Sequence, residues 1–306
     1  MGGNGPQTTR SPVVTQWLFS GYVRCMRLVA TSDIHIDKNG PDVLALLAGR
    51  IAELTPDVLV VAGDVATSPT VILQTFLSLR AVAPRVLYVA GNHDVWGHPT
   101  LLAEGQHAWW RLDHLLPALC AEAGVDNLDA GPLELDGIGF VGTLGWYDLS
   151  TKDEGLGAPD AAYATGEYAG MKWMDHVYAV FPGADGQPLP CASVAAVLRG
   201  RLAAQLASVT ASRIVGVTHM VPFAEQLQQK DHPGWRFCQA FIGHRGLGEV
   251  LRSDPRVELA IAGHTHRRSD LRIGGLRALC TPLGYRREWN VSDAAAVAAA
   301  VTLVEL

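Results

Sequence analysis

Lysine is scarce in this chain of 306 residues: only Lys38, Lys152, Lys172 and Lys230 occur, so its cationic character rests on arginine. With 24 Lys and Arg against 30 Asp and Glu, the formal net charge is −6 and the pI about 6.0. Such a balance gives no basic face broad enough to track a nucleic-acid backbone, which argues against a nucleic-acid partner. Pairs such as Arg267-Arg268 and Arg286-Arg287 read as ordinary surface. Cysteine is sparse too: Cys25, Cys120, Cys191, Cys238 and Cys280 lie far apart, odd in number and without a C-x-x-C spacing. That excludes a disulfide framework and a zinc knuckle, and points to reduced thiols in a cytoplasmic protein. No apolar run is long enough to span a bilayer, so no membrane partner is expected. Residues 1–25 carry a weak "VVTQWLF" patch but no small-residue cleavage site, which speaks against a signal peptide. They read as a flexible tail, with the domain opening at Met26 and running to residue 306.

What is present is an ordinary globular composition, 48% hydrophobic and 18% charged, enough for a sizeable core. Four short apolar, β-branched runs end in similar polar punctuation. "MRLVATSDIH" runs into Asp33 and His35, and "DVLVVAGDVA" into Gly63-Asp64. "RVLYVAGNHD" reaches Gly91-Asn92-His93-Asp94, and "VELAIAGHTH" reaches Gly263-His264-Thr265-His266. Each run has the length of a buried strand, and three of the four have glycine at the exit. Helical patterns, "PDVLALLAGRIAEL" and "PTVILQTFLSLRAV", separate the first three, which makes a parallel βαβ series. A fifth run, "SRIVGVTHMVPF", carries His219. Residues 143–212 and 223–248 break the rhythm and read as irregular insertions able to form the walls of a site.

In open α/β sheets ligands gather beyond the carboxyl ends of the strands, which is where these polar residues fall. Residues two apart on an extended segment project the same way, so Asp33 with His35, and His264 with His266, are expected to share one space. The candidate ligands are Asp33, His35, Asp64, Asn92, His219, His264 and His266. This mixed nitrogen and oxygen set suits Zn, Fe or Mn, and is too large for one tetrahedral zinc with an open position. Two metal ions bridged by one carboxylate would use all seven. Two divalent ions against two carboxylates leave a centre of about +2, suited to acidifying water and holding an anionic phosphoryl group.

Taken in order, Asp33-x-His35, Gly63-Asp64, Gly91-Asn92-His93-Asp94, His219 and Gly263-His264-x-His266 resemble the five motifs of the calcineurin-like metallophosphoesterase family. The resemblance implies an α/β, four-layer fold: a two-sheet β-sandwich flanked by helices. It implies that Asp33, His35 and His266 hold one metal, that Asp64 bridges, and that Asn92, His219 and His264 complete the second. The two ions would be divalent or mixed-valence Mn, Fe or Zn, and a hydroxide held between them would attack phosphorus. His93 would act as the catalytic residue, stabilising the transition state or protonating the leaving oxygen.

Two positions depart from the family pattern. Thr67 stands where a second Asp commonly orients the histidine equivalent to His93, and Ser68 where the protein-phosphatase branch has Arg. The second difference weighs against a protein serine/threonine phosphatase. The reading is a hydrolase acting on a phosphomonoester or phosphodiester of a small molecule. Its rivals are a nuclease, non-phosphate hydrolysis or iron redox chemistry at the same centre, and a silent metal-binding scaffold. Arg236, Asp148 and His176 are the candidate substrate contacts from the irregular stretches, whereas His98, His107 and His114 read as structural. Asp94 is read as a structural hydrogen-bond partner. Nothing in the chain sets an oligomeric state.

Overall fold

The computed structural model describes residues 1–3, 25–98, 100, 104–228 and 231–306. The tail expected over residues 1–25 lies, for 4–24, outside the described residues. Each predicted strand forms. β1 (Arg27–Thr31), β2 (Val58–Ala62) and β3 (Val86–Val89) come first, followed by β4 (Asp126–Asn127), β5 (Leu133–Leu135) and β6 (Ile138–Thr143). A short hairpin of β7 (Glu167–Tyr168) and β8 (Met171–Lys172) interrupts the series. Then come β9 (Arg213–Thr218), β10 (Val257–Ala262), β11 (Ser269–Ile273), β12 (Leu276–Cys280) and β13 (Thr302–Glu305).

Two sheets form, in the orders β13-β1-β2-β3-β4 and β11-β12-β10-β9-β6-β5. In the first, β1 to β4 run parallel and β13 closes the edge antiparallel to β1. In the second, β12, β10, β9 and β6 run parallel between antiparallel edges. Alternate side chains explain the layers. Leu28, Ala30, Val58, Val60, Leu87 and Val89 meet Phe140, Val215, Val217, Leu259 and Ile261 in a core between the sheets. Val29, Leu59, Val61, Val86 and Tyr88 point the other way, into a core under the helices. A strand buried on both faces reads as a continuous apolar run, as β2 does.

The helices obey the same arithmetic. α1 (Pro41–Leu54) and α2 (Pro69–Arg80) each begin on proline, whose missing N–H costs nothing there. Val43, Leu47 and Ile51 bury one stripe of α1, and Ile72, Phe76 and Leu79 one stripe of α2. Within residues 143–212, α3 (Asp175–Tyr178) is a single turn and α4 (Cys191–Ser208) a full helix against β6. Gln205 bolts α4 to that strand. Its side-chain amide accepts from Gly142 N at 2.9 Å and donates to Gly142 O at 3.0 Å and Leu128 O at 2.8 Å. No helix among the described residues is long and apolar enough to cross a membrane. The alanine-rich end of the chain forms α5 (Asp293–Ala299) and then β13.

Candidate metal centre

The exits of β1, β2, β3, β9 and β10 meet where the two sheets abut, and the backbone stitches them together. Asp33 N donates to Gly63 O at 2.9 Å, His35 N to Asp64 O at 3.0 Å, and Gly263 N to His219 O at 3.1 Å. The close approach explains the glycines. A methyl group at Gly91 would lie 2.1 Å from Asp64 Oδ1, and one at Gly263 only 2.6 Å from Ala62 O. The Asp94 carboxylate ties the same loops from beneath. It accepts from the backbone of Asp64 (2.9 Å), Val65 (2.8 Å), Ala66 (3.0 Å) and Gly91 (2.8 Å), and from the Tyr88 hydroxyl at 2.8 Å. Burial pushes its pKa up to about 6, although these hydrogen bonds pull it down. Asp94 is therefore a strut between two strand exits.

All seven candidate ligands converge, but not for the reason expected. Asp33 (φ 53°), His35 (φ 40°), Asp64 (φ 59°), His264 (φ 67°) and His266 (φ 51°) adopt left-handed backbone instead of continuing as extended chain. The side chains meet because the chain turns back at each exit, not because alternate residues of a strand share a face. Such conformations cost about 1–3 kcal/mol each and persist only where the surroundings impose them.

Donor atoms crowd into two clusters, Asp33, His35 and His266 in one and Asp64, His219 and His264 in the other. A third group of His35, Asp64 and His93 links them, with the atoms of each group within 4.8 Å of one another. Asp64 faces both: Oδ2 is 3.5 Å from His35 Nε2, and Oδ1 is 3.5 Å from His219 Nε2. His266 Nε2 lies 3.6 Å from Asp33 Oδ1 and 3.1 Å from His35 Nε2. Asn92 points its Oδ1 at His219 Nε2, 3.0 Å away, and donates Nδ2–H to Asp175 at 2.8 Å.

The donor set fits metal ions. Three imidazoles are held from behind through the nitrogen that faces outward: His219 Nδ1 by Ala62 O (2.9 Å), His264 Nε2 by Phe241 O (3.1 Å) and His266 Nδ1 by Glu288 (2.7 Å). An N–H donated outward leaves a lone pair inward, which is how protein ligands to metals are oriented. His35 Nδ1 has no hydrogen-bond partner among the described residues. Burial lowers His219 and His264 to about 3 and holds His35 well below its usual value, so these rings are neutral and ready to coordinate. Burial also lowers His266, but Glu288 and Asp33 outweigh that and raise it. Burial raises Asp33 and drives Asp64 far above the usual carboxylate range, Asp64 further through the charge of Asp33. Two buried carboxylates this close call for cations between them.

His93 sits at the edge of the cluster, its backbone N–H on Asp64 Oδ1 at 2.9 Å. Thr67 does not reach it; its hydroxyl donates to Asp37 instead. His93 instead stacks on Trp96, with ring centroids 3.8 Å apart, and its Nε2 faces the Tyr285 hydroxyl at 3.3 Å. A cavity of about 280 Å³ opens over Asp64, Asn92, His93, His264 and His266. Met171, Trp173, Met174, Leu227, Trp235 and Ile242 also line it.

The expected substrate contacts lie elsewhere. Arg236 is ion-paired with Asp153 at 2.6 Å and Asp148 with His244 at 3.1 Å, while His176 lies against Tyr147 and Phe241. None of the three is among the described residues lining the cavity. Asp175, the residue before His176, is the one that lines the cavity. Tyr285 and Glu288, which also line the cavity, escape sequence reasoning because "GYRREW" shows no spacing signal. They arrive because the backbone after β12 is pinned to β1, Leu283 N to Ser32 O at 2.9 Å and Gly284 N to Asp33 O at 3.0 Å.

Comparison with known proteins agrees with this geometry. Residues 26–181, just over half of the chain, match the model of the calcineurin-like phosphoesterases. The chain belongs to that family. It is a metal-dependent phosphoric ester hydrolase. No curated protein sequence matches it. Among solved structures, phosphopantetheinyl hydrolase from Mycobacterium tuberculosis is similar with a TM-score of 0.68 at 21% identity, covering 90% of this chain and 95% of that one. A Thermus thermophilus protein is similar with a TM-score of 0.54 at 12% identity, covering 92% of this chain and 99% of that one. At such identities the likeness is one of fold. It places this calcineurin-like phosphoesterase on the two-sheet, helix-flanked architecture expected of the family.

Proposed function

We propose that this phosphoesterase hydrolyses a small phosphomonoester or phosphodiester whose remaining part is uncharged and partly apolar. The observation carrying this reading is the cavity. The donor cluster shares its lining with the apolar side chains of Met171, Trp173, Met174, Leu227, Trp235 and Ile242, and Lys172 is the sole lysine or arginine among its described lining residues. Asp33, His35 and His266 would hold one cation, Asn92, His219 and His264 the other, and Asp64 both. Bound Mn, Fe or Zn would offset the phosphoryl charge and acidify water.

The protein's own groups do the rest. Burial and neighbouring imidazoles hold His93 well below its ordinary value, hence neutral, so that it would meet the phosphoryl or leaving oxygen as a hydrogen-bond donor. Trp96 and Tyr285 fix its plane. The scarcity of cations among the described lining residues argues against a polyanionic substrate, and so against a nuclease. The family member from Mycobacterium tuberculosis is named for the phosphopantetheinyl group, a phosphate on a flexible amide-bearing arm. That group is the first of the class to try here, because the cavity lining sets the polar Gln228 and Gln239 beside apolar side chains. We place the protein in the cytoplasm, consistent with its lack of disulfides among the described residues.

The test is elemental analysis of the purified chain together with a panel of monoesters, diesters, cyclic nucleotides and phosphopantetheine. Two equivalents of transition metal, with chelator-sensitive turnover favouring arm-bearing esters over polynucleotides, is the expected result. Metal-independent turnover, or a preference for single-stranded nucleic acid that weakens steeply with salt, overturns it.

A further inference from the structure

Thr67 leaves the cluster without the carboxylate that commonly supports the motif histidine, yet a different carboxylate reaches the same neighbourhood from the far side. Asp175 opens α3 and is 1% exposed. Its Oδ1 accepts from Asn92 Nδ2 at 2.8 Å and Trp96 Nε1 at 2.6 Å, and its Oδ2 from Trp173 Nε1 at 2.9 Å. Tyr147 adds a further hydrogen bond. These donors come from separate parts of the chain: the loop after β3, the segment after β8, and the loop after β6.

The consequences are geometric. A carboxamide can present either end to a cavity, but an ionised carboxylate only accepts. Asp175 therefore dictates that the NH2 of Asn92 faces it and that Oδ1 faces the cluster, where His219 Nε2 lies 3.0 Å away. The same oxygen pins the indole of Trp96, and the His93 ring lies on that indole at 26° between planes. Trp173, held by the other oxygen, packs edge-on against His264 with centroids 5.8 Å apart and forms part of the substrate wall. One side chain thus touches the supports of a ligand, of the catalytic histidine and of the wall.

We propose that Asp175 is the positioning residue of this site, orienting Asn92 as a metal ligand and, through Trp96, setting the plane of His93 in place of a carboxylate at position 67. This rests on the ligand assignment proposed above. An asparagine at 175 keeps the shape but has a single acceptor oxygen for several donors, and its NH2 repels one of them.

The decisive comparison uses the full-length chain as wild type, Asp175→Asn, Trp96→Phe and, as a destabilised control, Leu202→Ala, which removes a fully buried side chain of α4. Mn2+ binding is followed by calorimetry, the exchange-coupled signal of the Mn2+ pair by electron paramagnetic resonance, and turnover by kcat and KM. Asp175→Asn is expected to weaken one of the two Mn2+ sites about 10- to 100-fold and to lower kcat by a similar factor. Its coupled signal is expected to be lost and its KM to stay within about threefold. Trp96→Phe keeps the Asn92 tether, so it is expected to lower kcat with both Mn2+ affinities intact. Leu202→Ala lowers the melting temperature and alters neither readout. Native Mn2+ affinities in Asp175→Asn, or losses that merely track stability as in Leu202→Ala, overturn the proposal. If Asp175→Asn does not fold, Trp96→Phe decides, and unchanged kcat there overturns the His93 arm. A native chain that binds two Mn2+ but cleaves no phosphoester refutes the function and leaves the Asp175 binding test standing. A native chain that binds none refutes both.

Discussion

The inner and outer halves of this site are built by different physics. The inner cage is fixed by the backbone: strand exits turned into left-handed conformations, amide-to-carbonyl stitches between loops, and the Asp94 strut beneath them. The outer wall is fixed by side chains. Trp173, Trp235, Met171, Met174, Leu227 and Ile242 come from turns and short helices in the two irregular stretches, and hydrogen bonds such as Trp173 to Asp175 hold them. Chemistry common to a family fits the rigid half, and choice of substrate fits the adaptable one. Substitutions in the cage should therefore change whether the reaction occurs, and substitutions in the wall should change on what.

The largest expected break in that comparison is Asp64→Ala. It removes the carboxylate that faces both clusters, Oδ2 toward His35 and Oδ1 toward His219, each at 3.5 Å. Turnover should fall on the order of 10³-fold or more and bound metal should drop below two equivalents, read by steady-state kinetics and elemental analysis. Excess chelator on the wild type should give the same loss, restored by added Mn2+. Turnover within tenfold of wild type would mean that the cage is not where the chemistry happens.

Next in size is Gly91→Ala. Its methyl would stand 2.1 Å from Asp64 Oδ1 and 2.2 Å from Asp64 N, a buried carboxylate and a backbone nitrogen with little room to yield. A loss of about 3 kcal/mol of stability is expected from chemical denaturation, with activity falling alongside because the crowded carboxylate is the one that faces both clusters. A variant as stable as wild type would show that the exits are looser than their hydrogen bonds indicate.

The same contrast explains what could be read from the sequence. Each cage residue follows an apolar, β-branched run, and Asp64, Asn92 and His264 follow a glycine as well, so its place at a strand exit is a local property of the chain. The pattern locates Asp33, Asp64, Asn92, His219 and His264 without coordinates, and the layered fold follows from the same runs. Where local reasoning was wrong in mechanism, as with the alternation argument for His35 and His266, the positive φ that replaces it has no signature in a non-glycine residue. Trp96, Asp175, Tyr285 and Glu288 depend on pairings between loops far apart in sequence. Arg236 was attractive by residue type alone, but Asp153 at 2.6 Å engages its guanidinium, and no spacing rule foresees that pair. Surface ion pairs add little stability, yet this one is enough to turn a phosphate-type side chain away from the cavity.

Trp235→Ala probes the wall itself. Trp235 is 45% exposed, large for a surface indole, and lines the cavity beside Leu227 and Ile242. If it covers the apolar arm of the substrate, its removal should raise KM about tenfold for an arm-bearing ester, the effect of roughly 1.4 kcal/mol of lost contact. It should leave kcat within about twofold and barely alter KM for methyl or phenyl phosphate. Equal losses on all of these esters would make Trp235 part of the fold and not of recognition.

The smallest effect is the most discriminating, because family pattern and structure predict different outcomes. Thr67→Asp restores the carboxylate that commonly supports the motif histidine. Position 67 in this chain, however, does not face His93. Its hydroxyl donates to Asp37, and its carbonyl accepts from the buried Arg111 at 2.9 Å. A carboxylate there gives up the donor and sets a second negative charge against Asp37, so a loss of about 1 kcal/mol in stability is expected, with kcat unchanged within about twofold. His93 already has its orientation from the Trp96 ring beneath it and the Tyr285 hydroxyl 3.3 Å from Nε2, so an added carboxylate has nothing left to supply. A several-fold rise in kcat in Thr67→Asp would show that stacking and a neutral hydroxyl hold the ring less well than charge does, and that this site operates below what its cage allows.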